Sequence, residues 1–387
     1  MIQDVAGDAV NGKARNYELD FWKFIAAIFV VLVHSYSLFD GEFLVASQGR
    51  LAVEFFFLVT GFLFAHSIIR DERSFSFETI GSETWHFLWR KTRSFLPFYV
   101  IGFALAWCGL LLLKRGGYGS CAAIMNVPFD FLLLRETGFP IRDVFGVDWY
   151  LSTMLITLFL FYPLFRCRKM FFSYWVAPFL AMFCYGILFM HGGHLNYGWR
   201  CNDFVIIKPN LIRAIAGICL GVTAYRFSTF VRNNWTSRRM SVILSVVSVC
   251  AMLCACGLML VLHTDQMQHV VLSLFFVFVC ISGSGVTRST TVYSRFPKVC
   301  SYLGTLSLSL FLMHSSARWF VLYAAKHCDF LQRLLARRDM HSVLLSVSIY
   351  VGVSLLLAIF AIPVCKPLQD WLMSFEGTDN KKGESVR

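Results

Sequence analysis

Ten separate stretches of this chain are apolar for long enough to cross a lipid bilayer, near 20–38, 50–68, 94–113, 148–165, 171–190, 210–226, 241–262, 267–284, 303–325 and 342–364. Each approaches the roughly 17–25 residues that a helix needs to span the hydrocarbon. No water reaches a backbone there, so each run has to close its own N–H···O=C bonds as a helix. The expected fold class is therefore all-α: a polytopic membrane protein, a bundle of about ten transmembrane helices. Composition excludes the soluble alternative. The chain is 57% hydrophobic and only 15% charged, where a soluble domain carries about 25% charged residues, and its mean hydropathy is +0.62.

Orientation follows from the connections. If residue 1 lies inside, the inner segments hold nearly twice the Lys and Arg of the outer ones, as the positive-inside rule requires. Both termini are expected to be cytoplasmic, and the chain to be a multi-pass protein of the inner (plasma) membrane. The outer loop 326–341 runs against the rule with Lys326, Arg333, Arg337 and Arg338. This dispersal in short loops also accounts for the net charge of +12, and no nucleic-acid-binding module is recognisable. The first apolar run is of full spanning length and is followed at once by a second, which reads as a signal anchor rather than a cleaved signal peptide.

No repeat or Pro- or Gly-rich linker divides the chain, so residues 1–372 are expected to form one transmembrane domain. The polar tail 373–387 is expected to be a disordered cytoplasmic segment. In the longest outer connection, 114–147, the stretch VPFDFLLLRE reads as a short interfacial helix. Most of the thirteen cysteines lie in apolar runs, where a thiol behaves as a small hydrophobe. Cys121, Cys201 and Cys328 fall in outer loops, where the redox side permits one disulfide but the sequence indicates no pairing. Cys254 and Cys256 lack zinc-site spacing, and His191 and His194 lack a third ligand, so no metal is expected.

Two ionisable side chains share the first apolar run. Lys23 and His34 are eleven residues apart, which returns them to nearly the same helix face about 16 Å apart along the axis. Charged groups in hydrocarbon are costly and are read as functional; the bland alternative is a bracing pair, with Lys23 snorkelling to the inner surface. In the second run Glu54 stands as far below the outer end as His34 does in the first. Antiparallel neighbours are expected to bring them together, the carboxylate fixing the imidazole tautomer of a general base.

These residues carry a resemblance. Lys23 followed eleven positions later by His34, and AVEFFFLVTGF with Glu54, Thr60, Gly61 and Phe62, resemble the first two helices of the acyltransferase family 3 membrane proteins. Thr60 keeps the hydroxyl of that family's usual serine. WRKTRSFLPFYV resembles the Arg-x-x-Arg start of the family's third helix, giving Arg90, Arg93, Pro97 and Tyr99, with one extra residue before the proline. DWYLSTMLITLFLFYPLF resembles a later helix through Trp149 and Leu151, without the acidic pair many members carry. NLIRAIAGICLGV and YLGTLSLSLFLMHSS add Arg213, Ser307 and His314.

The resemblance implies a membrane O-acyltransferase that takes an acyl group, usually acetyl, from cytoplasmic acyl-CoA to a sugar hydroxyl of an envelope glycan. His34 and Glu54 are then the catalytic candidates, with direct transfer and an acyl-histidine intermediate both open. Lys23, Arg90 and Arg93 are the donor-binding candidates, since guanidinium groups grip phosphates; topology alone also places Arg90 and Arg93 at an inner helix end. Thr60, Trp149, Arg213, His314, Tyr197 and Trp199 are substrate-binding candidates. For Tyr197 and Trp199 the competing reading is the aromatic belt of the membrane interface. The alternative function is an exporter of polysaccharide or small solutes, for which broken helices in an inverted repeat would argue. None is visible in the sequence. Expected partners are membrane lipid, acyl-CoA and the glycan acceptor, with no nucleic acid.

Overall fold

The computed structural model describes residues 15–39, 45–113, 127–137, 145–192, 195, 208–235, 237–262, 266–286 and 292–375. Among these it is helical throughout, without a strand. The long helices are α1 (Tyr17–His34), α2 (Leu51–Ile69), α3 (Ile80–Leu113), α4 (Asp148–Cys167), α5 (Ala177–Gly192), α6 (Pro209–Asn234), α7 (Arg238–Val261), α8 (Met267–Val286) and α9 (Pro297–His327). A short α10 (Asp329–Ala336) precedes α11 (Met340–Ser374), and a π-helical turn (Phe172–Val176) leads into α5. Nine segments of the described residues are long and apolar enough to cross a membrane. The ninth expected span, α9, is long enough but diluted by Lys298, Arg318, Lys326 and several serines. Its centre is nevertheless buried, from Leu306 to Ala317 apart from Leu308.

Local sequence explains the ends that position the site. Asn16 caps α1 by accepting from the Leu19 N–H at 3.2 Å, and Glu18 and Asp20 sit in the first turn, where the helix dipole favours acids. α1 packs lengthwise on α9. Gly304 makes that approach feasible, because a Cβ there would lie 2.7 Å from the Asp20 carboxyl carbon. α3 differs from expectation: it starts at Ile80 rather than near 94 and runs for 34 residues. At 1.5 Å per residue that is about 51 Å, longer than the roughly 30 Å of hydrocarbon. Its first turns, with Trp85, Trp89, Arg90 and Arg93, therefore extend past the apolar layer.

Successive helices alternate in direction, so the start of α1, the end of α2, the start of α3 and the end of α11 share one end of the bundle, called here the Lys23 end. The His34 end holds the start of α2, α4 and α6. There the expected interfacial helix is one turn, 127–131, followed by a 3-10 turn (Arg135–Thr137). The Tyr99 hydroxyl donates to the Asp130 carbonyl at 3.0 Å and pins this segment against α3.

Candidate active site

His34 is the last residue of α1. Its Nδ1 donates to the Val30 carbonyl, one turn back, at 2.7 Å. In the middle of α9, His314 is 1% exposed and its Nδ1 donates to the Phe311 carbonyl at 2.8 Å. A carbonyl only accepts, so each Nδ1 carries the proton and each neutral ring is basic at Nε2. The ring centroids lie 4.9 Å apart. The Nε2 of His314 is buried and has no hydrogen-bond partner among the described residues.

Glu54 takes a different place from the one expected. One carboxylate oxygen accepts the Tyr185 hydroxyl at 2.5 Å, and the other accepts Nε of Arg213. The Arg213 guanidinium also donates to the Arg50 carbonyl at 3.0 Å and lies over the Trp149 ring, 5.5 Å from its centroid. The expected His34–Glu54 pair is thus replaced by two arrangements, His34 with His314 and Glu54 with Arg213. Helix azimuth is the reason. Residues 54 and 56 point about 200° apart, and it is Phe56 that faces α9, 5.6 Å from Phe311, leaving Glu54 toward α6. Gly217 opens the space, since a Cβ there would meet the Phe57 side chain at 2.6 Å and the Glu54 carboxylate at 3.2 Å. Glu54 is fully buried and Arg213 is 3% exposed, so each supplies the counter-charge the other needs in an apolar interior.

Thr60 and Tyr150 share a hydrogen bond of 3.2 Å. The Tyr150 ring packs 4.7 Å from Phe57 and 5.4 Å from Phe311, which itself lies 6.0 Å from His314. Aromatic packing therefore connects the Trp149–Tyr150 corner to the histidine pair. Ser307 donates to the Gly304 carbonyl of its own helix at 2.9 Å. Tyr197, Trp199, His194, Cys121 and Cys201 lie outside the described residues, and Cys328 is an exposed free thiol.

At the other end, Lys23 pairs with Asp20 at 3.1 Å, and Asp20 also holds Arg15 at 2.5 Å. Lys91, on α3, lies within electrostatic reach of Lys23 and Arg90. Arg90 stands over the Phe87 ring, 5.9 Å from its centroid. Arg93 covers the Trp89 ring at 5.4 Å and donates to the Leu372 carbonyl at 3.0 Å. The Lys23 end is braced by Arg166, which is 1% exposed and donates to Glu83 at 3.1 Å and to the Arg73 carbonyl at 3.3 Å. It also pairs with Asp71 at 3.5 Å. The doubly hydrogen-bonded Arg73 guanidinium holds the Asp71 carboxyl down at about 2, with Arg166 adding to the pull and partial burial opposing it.

The acyltransferase domain of family 3 matches residues 16–365 of this chain, nearly its whole length. The chain belongs to acyltransferase family 3. No match was found among the curated proteins or the solved structures.

A family 3 acyltransferase is a membrane enzyme that moves acyl groups other than aminoacyl groups. The expected candidates in this family member fall at two levels, Lys23, Arg90 and Arg93 at one end and His34, His314, Thr60, Trp149 and Arg213 toward the other. Tyr150, Tyr185, Lys91 and Arg318 were not singled out from the sequence. Tyr150 and Lys91 were adjacent to residues that were. Arg318, one turn beyond His314 and lying over the Trp319 ring at 4.4 Å, is a charge in an apolar run and so a signal of the kind that marks Lys23.

Proposed function

We propose that this enzyme moves an acyl group, acetyl in the simplest case, from acyl-CoA on the cytoplasmic side of the inner membrane to a sugar hydroxyl of an envelope glycan on the outer side. His34 is the general base. Its Nε2 takes the hydroxyl proton while the oxygen attacks the thioester carbonyl carbon. When the tetrahedral intermediate collapses, the C–S bond breaks and the imidazolium returns the proton to the departing thiolate, leaving the sugar ester and the free coenzyme thiol. Lys23, Arg90 and Arg93 receive the anionic part of the donor. Trp149, Tyr197 and Trp199 are the aromatic candidates assigned to the sugar. Glu54 acts as a positioning residue through Arg213, which covers Trp149.

The observation that carries this reading is the setting of His34. Its Nδ1 is occupied by the Val30 carbonyl, which makes Nε2 the proton-accepting atom, and the ring faces a second imidazole 4.9 Å away. That neighbour offers a lone pair to the imidazolium formed during transfer. The test is acyl transfer from acetyl-CoA by purified protein in lipid nanodiscs. His34→Ala is expected to lose the acid–base contribution, about 10²–10⁴ in rate, while melting like the wild type. Undiminished transfer by a folded His34→Ala protein removes His34 as the base.

A further inference from the structure

Beside the start of α3 lies a cleft of about 390 Å³, lined by Trp85, His86, Trp89, Arg93, Leu372 and Phe375. Its size is at the lower end of the roughly 300–1,000 Å³ typical of small-molecule sites. It belongs to the Lys23 end, and none of its residues takes part in the chemistry assigned above to the histidine pair. Three features set it apart from an ordinary lipid-facing aromatic belt.

The first is the pair of indoles. Trp85 and Trp89, one helical turn apart, lie with their planes 3° from parallel and centroids 6.4 Å apart, and they are 65% and 39% exposed. Two flat faces thus stand side by side at the mouth. The second is that the cleft is held open by polar ties between α3 and α11. Arg93 donates to the Leu372 carbonyl at 3.0 Å, and Gln369 donates to the Ser94 carbonyl, so Leu372 and Phe375 are fixed as the far wall. The third is charge. At about 100° per residue, Arg93, Arg90 and Lys91 follow one another round α3 from the cleft, and Lys91 is within electrostatic reach of Lys23. The Nε of Arg93 is buried without a hydrogen-bond partner among the described residues. Aromatic faces at one end of a cationic arc match a purine joined to phosphates. A lipid headgroup has the phosphate but no flat base.

We infer that this cleft is the seat of the adenine base of the acyl-CoA donor: the purine stacks on Trp85 and Trp89 against Phe375, and its phosphates lie along Arg93, Arg90 and Lys91 toward Lys23. The inference rests on the acyl-CoA reading above and adds a base-recognition site to it. The thioester end is thereby directed from the cleft toward α1, the helix that ends in His34.

The test is binding by the full chain in phosphatidylcholine nanodiscs, with coenzyme A, adenosine 3′,5′-bisphosphate and 4′-phosphopantetheine as probes. Trp85→Leu and Trp89→Leu are each expected to weaken coenzyme A binding by about five- to a hundredfold, the range for one lost base–aromatic stack. Binding of the bisphosphate is expected to fall with it, and binding of 4′-phosphopantetheine, which has no base, to stay at the wild-type value. Trp85→Phe and Trp89→Phe, which keep a flat ring, are expected to recover most of the affinity, which separates stacking from loss of fold. Wild-type protein that binds coenzyme A while folded Leu variants bind it equally well overturns the base site and leaves the donor reading standing. Wild-type protein that binds no coenzyme A overturns both. A parallel series with phosphatidylglycerol nanodiscs addresses the lipid alternative: if the tryptophans alter affinity only when anionic lipid is present, the cleft is a headgroup site and the inference fails.

Discussion

His34 and His314 face each other across the seam between α1 and α9, ring centroids 4.9 Å apart, each with Nδ1 donating to a carbonyl of its own helix. Both rings are therefore basic at the same atom, and neither is a donor to the other while both are neutral. A proton arriving on His34 changes that, because Nε2–H then has the buried imidazole lone pair of His314 nearby. Buried polar pairs of this kind matter most at the moment one partner becomes charged.

His314→Phe is accordingly expected to lower kcat by about ten- to a hundredfold, within the range of a lost charge-assisted hydrogen bond, with the KM for acyl-CoA unchanged. His314→Gln, whose amide oxygen reaches the same region, is expected to recover part of the loss. Steady-state kinetics with varied acetyl-CoA separate this from a bracing role, which would leave kcat intact in whatever protein still folds.

Glu54 gives a contrasting expectation. Glu54→Gln leaves the Arg213 guanidinium buried without its carboxylate, and breaking such a pair costs about 3–5 kcal/mol. The variant should melt well below the wild type. Adding Arg213→Met removes the orphaned charge and should restore much of the stability. A carboxylate that served only to orient His34 would behave in the opposite way, with normal melting and a collapsed kcat, and the double variant would gain nothing.

The difference between these two residues marks how far the sequence could be read. Run length and backbone hydrogen bonding fix the helices, and the price of charge in hydrocarbon singles out Lys23, His34, Arg213 and His314 before any coordinate is known. Depth along an axis was legible too, and it puts Glu54 and His34 at one level. Azimuth was not. A short loop says that two helices are neighbours but not which flank each presents, and it is α6, distant in sequence, that takes the flank of α2 carrying Glu54. Pairings such as His34 with His314 or Glu54 with Tyr185 depend on that choice. Trp89 opens the WRKTRSFLPFYV motif, but its stacking with Trp85 is not legible, because the start of α3 lies outside the apolar run and nothing there fixes the helical spacing between them.

Acid is expected to weaken the Lys23 end. The folded-state value of Asp71, about 2 against an ordinary 3.8, is depressed, so its ion pairs add stability above about pH 4 that is lost as pH falls toward 2. Asp71→Asn is expected to melt below the wild type at neutral pH, with the gap closing between pH 4 and 2. Melting curves of both proteins across that window check it. A gap that stays constant would mean that the charge on Asp71 contributes nothing to holding Arg73 and Arg166.

The close approach of α2 and α6 that seats the Glu54–Arg213 pair depends on glycines. A Cβ on Gly61 would lie 2.7 Å from the Ile218 carbonyl carbon, and one on Gly221 would lie 2.8 Å from that of Leu58. In both cases the obstacle is backbone, which no rotamer change relieves, so the helices must separate. Small residues at such crossings are how membrane helices gain packing that lipid does not oppose. Gly61→Ala and Gly221→Ala are each expected to destabilise by about 1–3 kcal/mol, the range for overpacking. Gly186→Ala, at a position with nothing within 4 Å of the added methyl, should be close to neutral. Activity offers a second readout, because displacement of α6 moves Arg213 off Trp149. Gly61→Ala and Gly221→Ala proteins that melt no lower than Gly186→Ala would show that the α2–α6 contact does not govern stability at these positions.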